Sequence, residues 1–119
     1  VLAMDAFLGY CAMEALIAGL PAGNPLPHLR EWLALAAPVR QVLQTEYHHL
    51  KSHAERTTAA AEENVLFALE NLRTYPVVQA RLADGSLRLH GWFFKIASAE
   101  LFAFDPETKQ FLPLGVEKP

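Results

Sequence analysis

The last third of the chain constrains the fold most. Residues 87–96 (LRLHGWFFKI) and 100–105 (ELFAFD) are aromatic, β-rich runs with alternation, whereas residues 10–83 read as helices joined by turns. The spacer Ala97-Ser98-Ala99 suits a hairpin. Two strands alone are marginal in water. The apolar run Val1–Phe7 is the candidate third strand, and so small a sheet with so many apolar helices needs a cover. An oligomer or a further segment would supply it.

The helical reading rests on spacing. Met13, Leu16, Ile17 and Leu20 share one face of a helix over about 10–20, which the proline- and glycine-rich residues 21–27 stop. Leu29, Trp32, Leu33 and Ala36 mark a short helix over 28–36. Pro38 suits the first turn of the next helix, which the positions Val39, Val42, Leu43, Tyr47 and Leu50 extend to His53. Thr57 and Thr58 are cap residues for a helix over 59–74 carrying Val65, Leu66, Leu69 and Leu72. Pro76 ends it and pushes Tyr75 toward an extended conformation. A last helix spans 77–83, with Asp84-Gly85 as its stop, and Phe111–Leu114 is a final extended piece after the turn at Asp105–Thr108.

Composition narrows the function. The chain has 119 residues, enough for one domain, and 52% hydrophobic content, enough for a core. Its net charge of −3, with no basic stripe, argues against a nucleic-acid partner. The single cysteine, Cys11, excludes an intrachain disulfide and a Cys-rich zinc site. The apolar residues 1–22 contain Asp5 and Glu14 and no preceding base, which argues against a signal peptide or membrane span. No glycine-rich phosphate loop is present.

The segment Glu63–Val78 (ENVLFALENLRTYPVV), followed by Gly85–Leu114 with its LHGW and FLPL, resembles the β-class carbonic anhydrases. That family has the ordered pattern E-N-V…N-L-x-T-x-P-x-V, then L-H-G-W, a two-strand end, an acidic turn and F-x-P-L. The N-terminal half fits too: Ala12-Met13 matches the A-M of the family's H-x-x-C-G-A-M. The resemblance implies an α/β fold with a small, mostly parallel sheet and an antiparallel edge strand, flanked by helices. The 87–96 strand should lie parallel to Val1–Phe7, and the 100–105 strand antiparallel at the edge. The chain should form a single domain over 1–119 that lacks the family's N-terminal part.

The same alignment implies a lost metal site. Phe7 occupies the position of the family's zinc histidine and Tyr10 that of a zinc cysteine, while Cys11 replaces a glycine. Sliding Cys11 onto the cysteine position puts Leu8 at the histidine. The C-x-D-x-R element, which supplies another cysteine and an Asp–Arg pair, does not occur in these residues. A catalytic zinc takes about three protein ligands and one open position for water, and it lowers the pKa of that water to make the hydroxide that attacks CO2.

Other candidates are weaker. Glu46, His49 and His53 stand at i, i+3 and i+7, and His49 and His53 have the H-x-x-x-H spacing of metal-binding helices; a solvated helix end is the competing reading. His90 reads as a hydrogen-bonded structural residue, Cys11 as a buried thiol, and Trp92, Phe93, Phe94, Phe102 and Phe104 as core and interface. The expectation is a carbonic-anhydrase-like structural or assembly module with no cofactor, partnered by a second copy or by a complete anhydrase subunit. The alternative is a portion of a zinc-dependent enzyme, completed elsewhere, that hydrates CO2. A cytoplasmic setting is expected, with a carboxysome or other CO2-handling compartment as the family-level variant.

Overall fold

A computed structural model describes residues 9–19, 27–96 and 98–115. In chain order they form α1 (Gly9–Ala18), α2 (Pro27–Leu35), α3 (Ala37–Glu46), α4 (His53–Arg73), α5 (Pro76–Ala83), β1 (Trp92–Lys95), β2 (Glu100–Asp105) and β3 (Gln110–Pro113). The chain divides into two compact units, Val1–Asn64 and Val65–Pro119, with the boundary inside α4. No described helix is long and apolar enough to cross a membrane.

The first unit buries Met13 and Leu16 of α1, Leu33 of α2, Ala36, and Val39 and Leu43 of α3. These are the positions that helical periodicity selects. Trp32 departs from that face and is exposed. Between α2 and α3, Ala36 forms the turn, its N–H donating to Leu33 O at 3.1 Å. Pro38 lies in the first turn of α3, where its missing N–H costs no helical bond.

The expected helix to His53 ends at Glu46. Leu50 N donates to Tyr47 O at 3.1 Å, closing a turn, and α4 starts afresh at His53. The apolar periodicity of Tyr47 and Leu50 continued past the end because both are half-buried in this connection rather than on a helix. Similarly, Thr57 does not cap α4. It lies one turn inside, fully buried, and its hydroxyl donates to His53 O at 2.9 Å.

In the second unit, α4 ends at Arg73 and α5 begins at Pro76, with Tyr75 extended at φ −76° and ψ 127°. This is the conformation proline imposes on its predecessor. Gly85, at φ +76°, terminates α5, and Leu87 N returns to Arg81 O at 3.1 Å.

The sheet order is β1-β2-β3. Trp92 pairs with Ala103 and Phe93 with Phe102, and Phe104 pairs with Phe111 and Ala103 with Leu112. Both pairings are antiparallel, so the described sheet is antiparallel throughout, not mostly parallel. The parallel neighbour was to be Val1–Phe7, which lies outside the described residues. The 87–96 strand shortens to Trp92–Lys95, and among the described residues no ladder partner faces 87–90. Phe111–Leu114 becomes the third strand through β3.

Alternation gives the sheet two faces. Phe93, Phe102, Phe104 and Phe111 share one, with ring centroids 6.2 Å apart for Phe93–Phe102 and 5.5 Å for Phe104–Phe111. Trp92, Phe94, Leu101, Ala103 and Leu112 share the other.

Candidate functional site

Of the two residues at the implied zinc-ligand positions, Phe7 lies outside the described residues and Tyr10 is the second residue of α1. Cys11 follows Tyr10 on the same helix.

The second candidate, Glu46, His49 and His53, loses the continuous helix that would have aligned it. Glu46 ends α3, His49 lies in the turn and His53 opens α4; all three are exposed. Among the described residues, no three His, Cys, Asp or Glu side chains are grouped to hold a metal ion. What the turn builds instead is an aromatic and carboxylate cluster. The Tyr47 hydroxyl donates to Glu63 Oε1 at 2.7 Å. The His49 ring stacks on Tyr47 with centroids 6.3 Å apart, and His48 meets His49 edge-on at 6.1 Å. His48 Nδ1 lies 3.0 Å from Thr45 O at the end of α3.

Burial pushes the Tyr47 phenol up to about 12, aided by its bond to Glu63 and the charges of Glu63, Glu62 and Glu46. A phenol held so far above neutral pH is a hydrogen-bond donor, not a proton carrier. It ties the α3–α4 connection to α4. Reading Tyr47 as one more apolar helix position missed this pair. The available signal was a tyrosine preceding the acidic pair Glu62-Glu63, since a buried phenol seeks an acceptor.

The predicted core and interface residues divide. Phe93 is buried; Phe94, Phe102 and Phe104 are half-buried; Trp92 is 55% exposed. Leu112, also exposed, flanks Ala103 opposite Trp92, so the second sheet face carries an apolar strip. His90 is exposed and lies outside β1, which corrects its reading as a bonded strand residue.

Gly91 is the residue of LHGW with the tightest surroundings. A Cβ there would lie 2.9 Å from Leu69 Cδ1 and from Val65 Cγ1, and 3.6 Å from Phe104 Cβ. Its carbonyl accepts from Phe104 N at 2.8 Å. The glycine thus lets the chain enter β1 flush against the C-terminal half of α4.

Comparison with known proteins agrees with this architecture. The carbonic anhydrase family profile matches residues 10–101. Carbonic anhydrase 1 of Escherichia coli O157:H7 is 35% identical over 105 residues, which cover 88% of this chain and 47% of that protein. The carbonic anhydrase of a Synechocystis species is 34% identical over 101 residues, covering 85% of this chain and 36% of that protein. The structure of the β-carbonic anhydrase CcaA superposes with a TM-score of 0.78 at 33% identity, covering 86% of this chain and 49% of that one. The chain therefore spans half or less of each of these relatives. With the match running from α1 through the start of β2, the chain belongs to the β-carbonic anhydrase family.

Proposed function

We propose that the chain is a carbonic-anhydrase-like module without a zinc site of its own, serving a structural, assembly or interaction role. What supports this is the motif alignment, in which Phe7 and Tyr10 fall at the positions where the family has a zinc histidine and a zinc cysteine. A phenyl ring has no lone pair to donate, and an ordinary tyrosine is protonated near neutral pH. A catalytic zinc needs about three protein donors. The residues at these positions do not fit the metal.

The proposed partner is a second copy or a complete anhydrase subunit. The sheet face bearing Trp92 and Leu112 supports this, because the pair leaves large apolar side chains in solvent on one strip. The proposed setting is cytoplasmic, or a carboxysome or other CO2-handling compartment.

A second reading is supported by coverage: the chain matches only 47% and 36% of two relatives named carbonic anhydrase. In that reading it is a portion of a zinc-dependent enzyme, with the metal-holding residues contributed by another segment or chain.

Elemental analysis of the purified protein, with native mass and CO2-hydration rate on the same sample, separates the two. The first reading expects far less than one zinc per chain, a defined assembly, and hydration at the buffer rate. One zinc per chain with hydration above buffer would overturn it in favour of the second.

A further inference from the structure

Within the first unit, α1, α2 and α3 enclose an open pocket of ≈ 230 Å3. It is separate from the Tyr47 cluster, no residue of which lines it. Ala15 and Leu16 of α1 and Leu33 of α2 give it apolar walls. Its charged lining is Arg30 and Arg40, and no carboxylate among the described residues lines it.

Both charged residues of the lining are basic, and Arg30 already has an interaction of its own. Arg30 lies in the first turn of α2 and Arg40 in the first turn of α3. Ala37, the first residue of α3, is also in the lining, and no side chain caps that helix start. A helix N-terminus carries a partial positive charge, although here Pro38 has no N–H and Val39 N already donates to Ala36 O at 3.0 Å. Among the described residues, the Arg40 guanidinium has no hydrogen-bond or ion-pair partner. A guanidinium at the mouth of an apolar pocket is a fork for two acceptor oxygens on one carbon.

We propose that this pocket binds a small carboxylate with a compact apolar body. The carboxylate pairs with Arg40 at the rim, and the body occupies the space between Leu16 and Leu33. The volume lies below the usual span for drug-sized ligands, which sets the ligand at about ten non-hydrogen atoms or fewer. A purely inorganic anion would leave the apolar walls unfilled; a neutral ligand would leave Arg40 without its acceptor.

The test titrates the intact protein with benzoate and with benzamide, its neutral counterpart of like shape, by calorimetry at low ionic strength. Saturable benzoate binding is expected, with a dissociation constant on the order of 1 mM. Arg40→Gln should weaken it about tenfold or more while leaving the helical circular dichroism unchanged, and benzamide should bind at least about tenfold more weakly than benzoate. Leu33→Ala should weaken benzoate but not inorganic phosphate. No saturable benzoate binding, equal binding of benzamide, or unchanged binding in Arg40→Gln would each overturn the proposal. Native mass is followed in parallel. If Arg40→Gln changes the assembly and benzoate does not bind, the pocket takes a carboxylate from a neighbouring chain, and the small-ligand assignment fails.

Discussion

Gly91 and Leu69 meet so closely that the glycine has no room for a side chain: a Cβ at Gly91 would lie 2.9 Å from Leu69 Cδ1. Val65 Cγ1 is equally near. Both neighbours are buried on α4, so neither can swing into solvent. Gly91→Ala should therefore destabilise the protein by about 1–3 kcal/mol, the range for overpacking a filled site. Leu69→Ala alone should cost about 2–5 kcal/mol. The two substitutions share one space, so the double variant should be more stable than the sum predicts. Denaturant unfolding of the four proteins measures the coupling, and strict additivity would rule out the contact.

Tyr47 makes a prediction at the alkaline end. Its phenol is raised to about 12 in the folded chain and sits near 10 when unfolded. The folded state thus favours the protonated form. That contribution is fully present below pH 10 and is lost as pH rises through 12. Tyr47→Phe removes the bond to Glu63 and should cost about 1–2 kcal/mol at pH 7, in the range for a hydrogen bond to a charged acceptor. Its unfolding free energy should also fall less between pH 10 and 12 than that of the parent. Parallel losses in the two proteins over that interval would remove Tyr47 as the cause.

These two sites also show what sequence reading could reach. Local rules located Pro38, Tyr75 and Gly85 correctly, because a fixed φ or an absent Cβ acts within one or two residues. The aromatic alternation gave β2 and its hairpin, because Phe93, Phe102 and Phe104 carry their period wherever the sheet sits. The end of α3 was not legible. Tyr47 and Leu50 keep helical spacing, and only the reach of the Tyr47 hydroxyl to Glu63, sixteen residues on, shows what that part of the turn is for. The apparent metal face of Glu46, His49 and His53 disappeared with that helix. The family motif was legible in LHGW, but the packing that requires its glycine appears only when Val65 and Leu69 are brought beside it.

The β2–β3 turn is held by one carboxylate. Asp105 accepts from Glu107 N at 3.0 Å and from the Thr108 hydroxyl at 2.8 Å. These bonds, the backbone one first, hold its carboxyl below the usual aspartate value. A depressed folded pKa stabilises the fold above the unfolded value near 4, and the contribution fades as pH falls through the folded one. Asp105→Ala should lower the midpoint of thermal unfolding at pH 7, and the variant's midpoint should change less than the parent's between pH 5 and pH 2. An unchanged midpoint at pH 7 would leave the turn to Pro106 and the strand pairing alone.

Thr57 is a polar residue at a fully buried position of α4, and its hydroxyl has found an acceptor in the carbonyl of His53 one turn back. That carbonyl already belongs to the helix ladder, so removing the hydroxyl leaves no acceptor stranded. Thr57→Val keeps the shape and removes both the hydroxyl and its desolvation, and its stability should stay within about 1 kcal/mol of the parent. Thr57→Asp places a charge where Thr57 has no solvent contact, and should cost more than about 3 kcal/mol or prevent folding. Urea unfolding of both variants checks the pair. A costly Val with a tolerated Asp would mean that the site is polar and hydrated, contrary to the packing around Ala59–Ala61 that buries this turn of the helix.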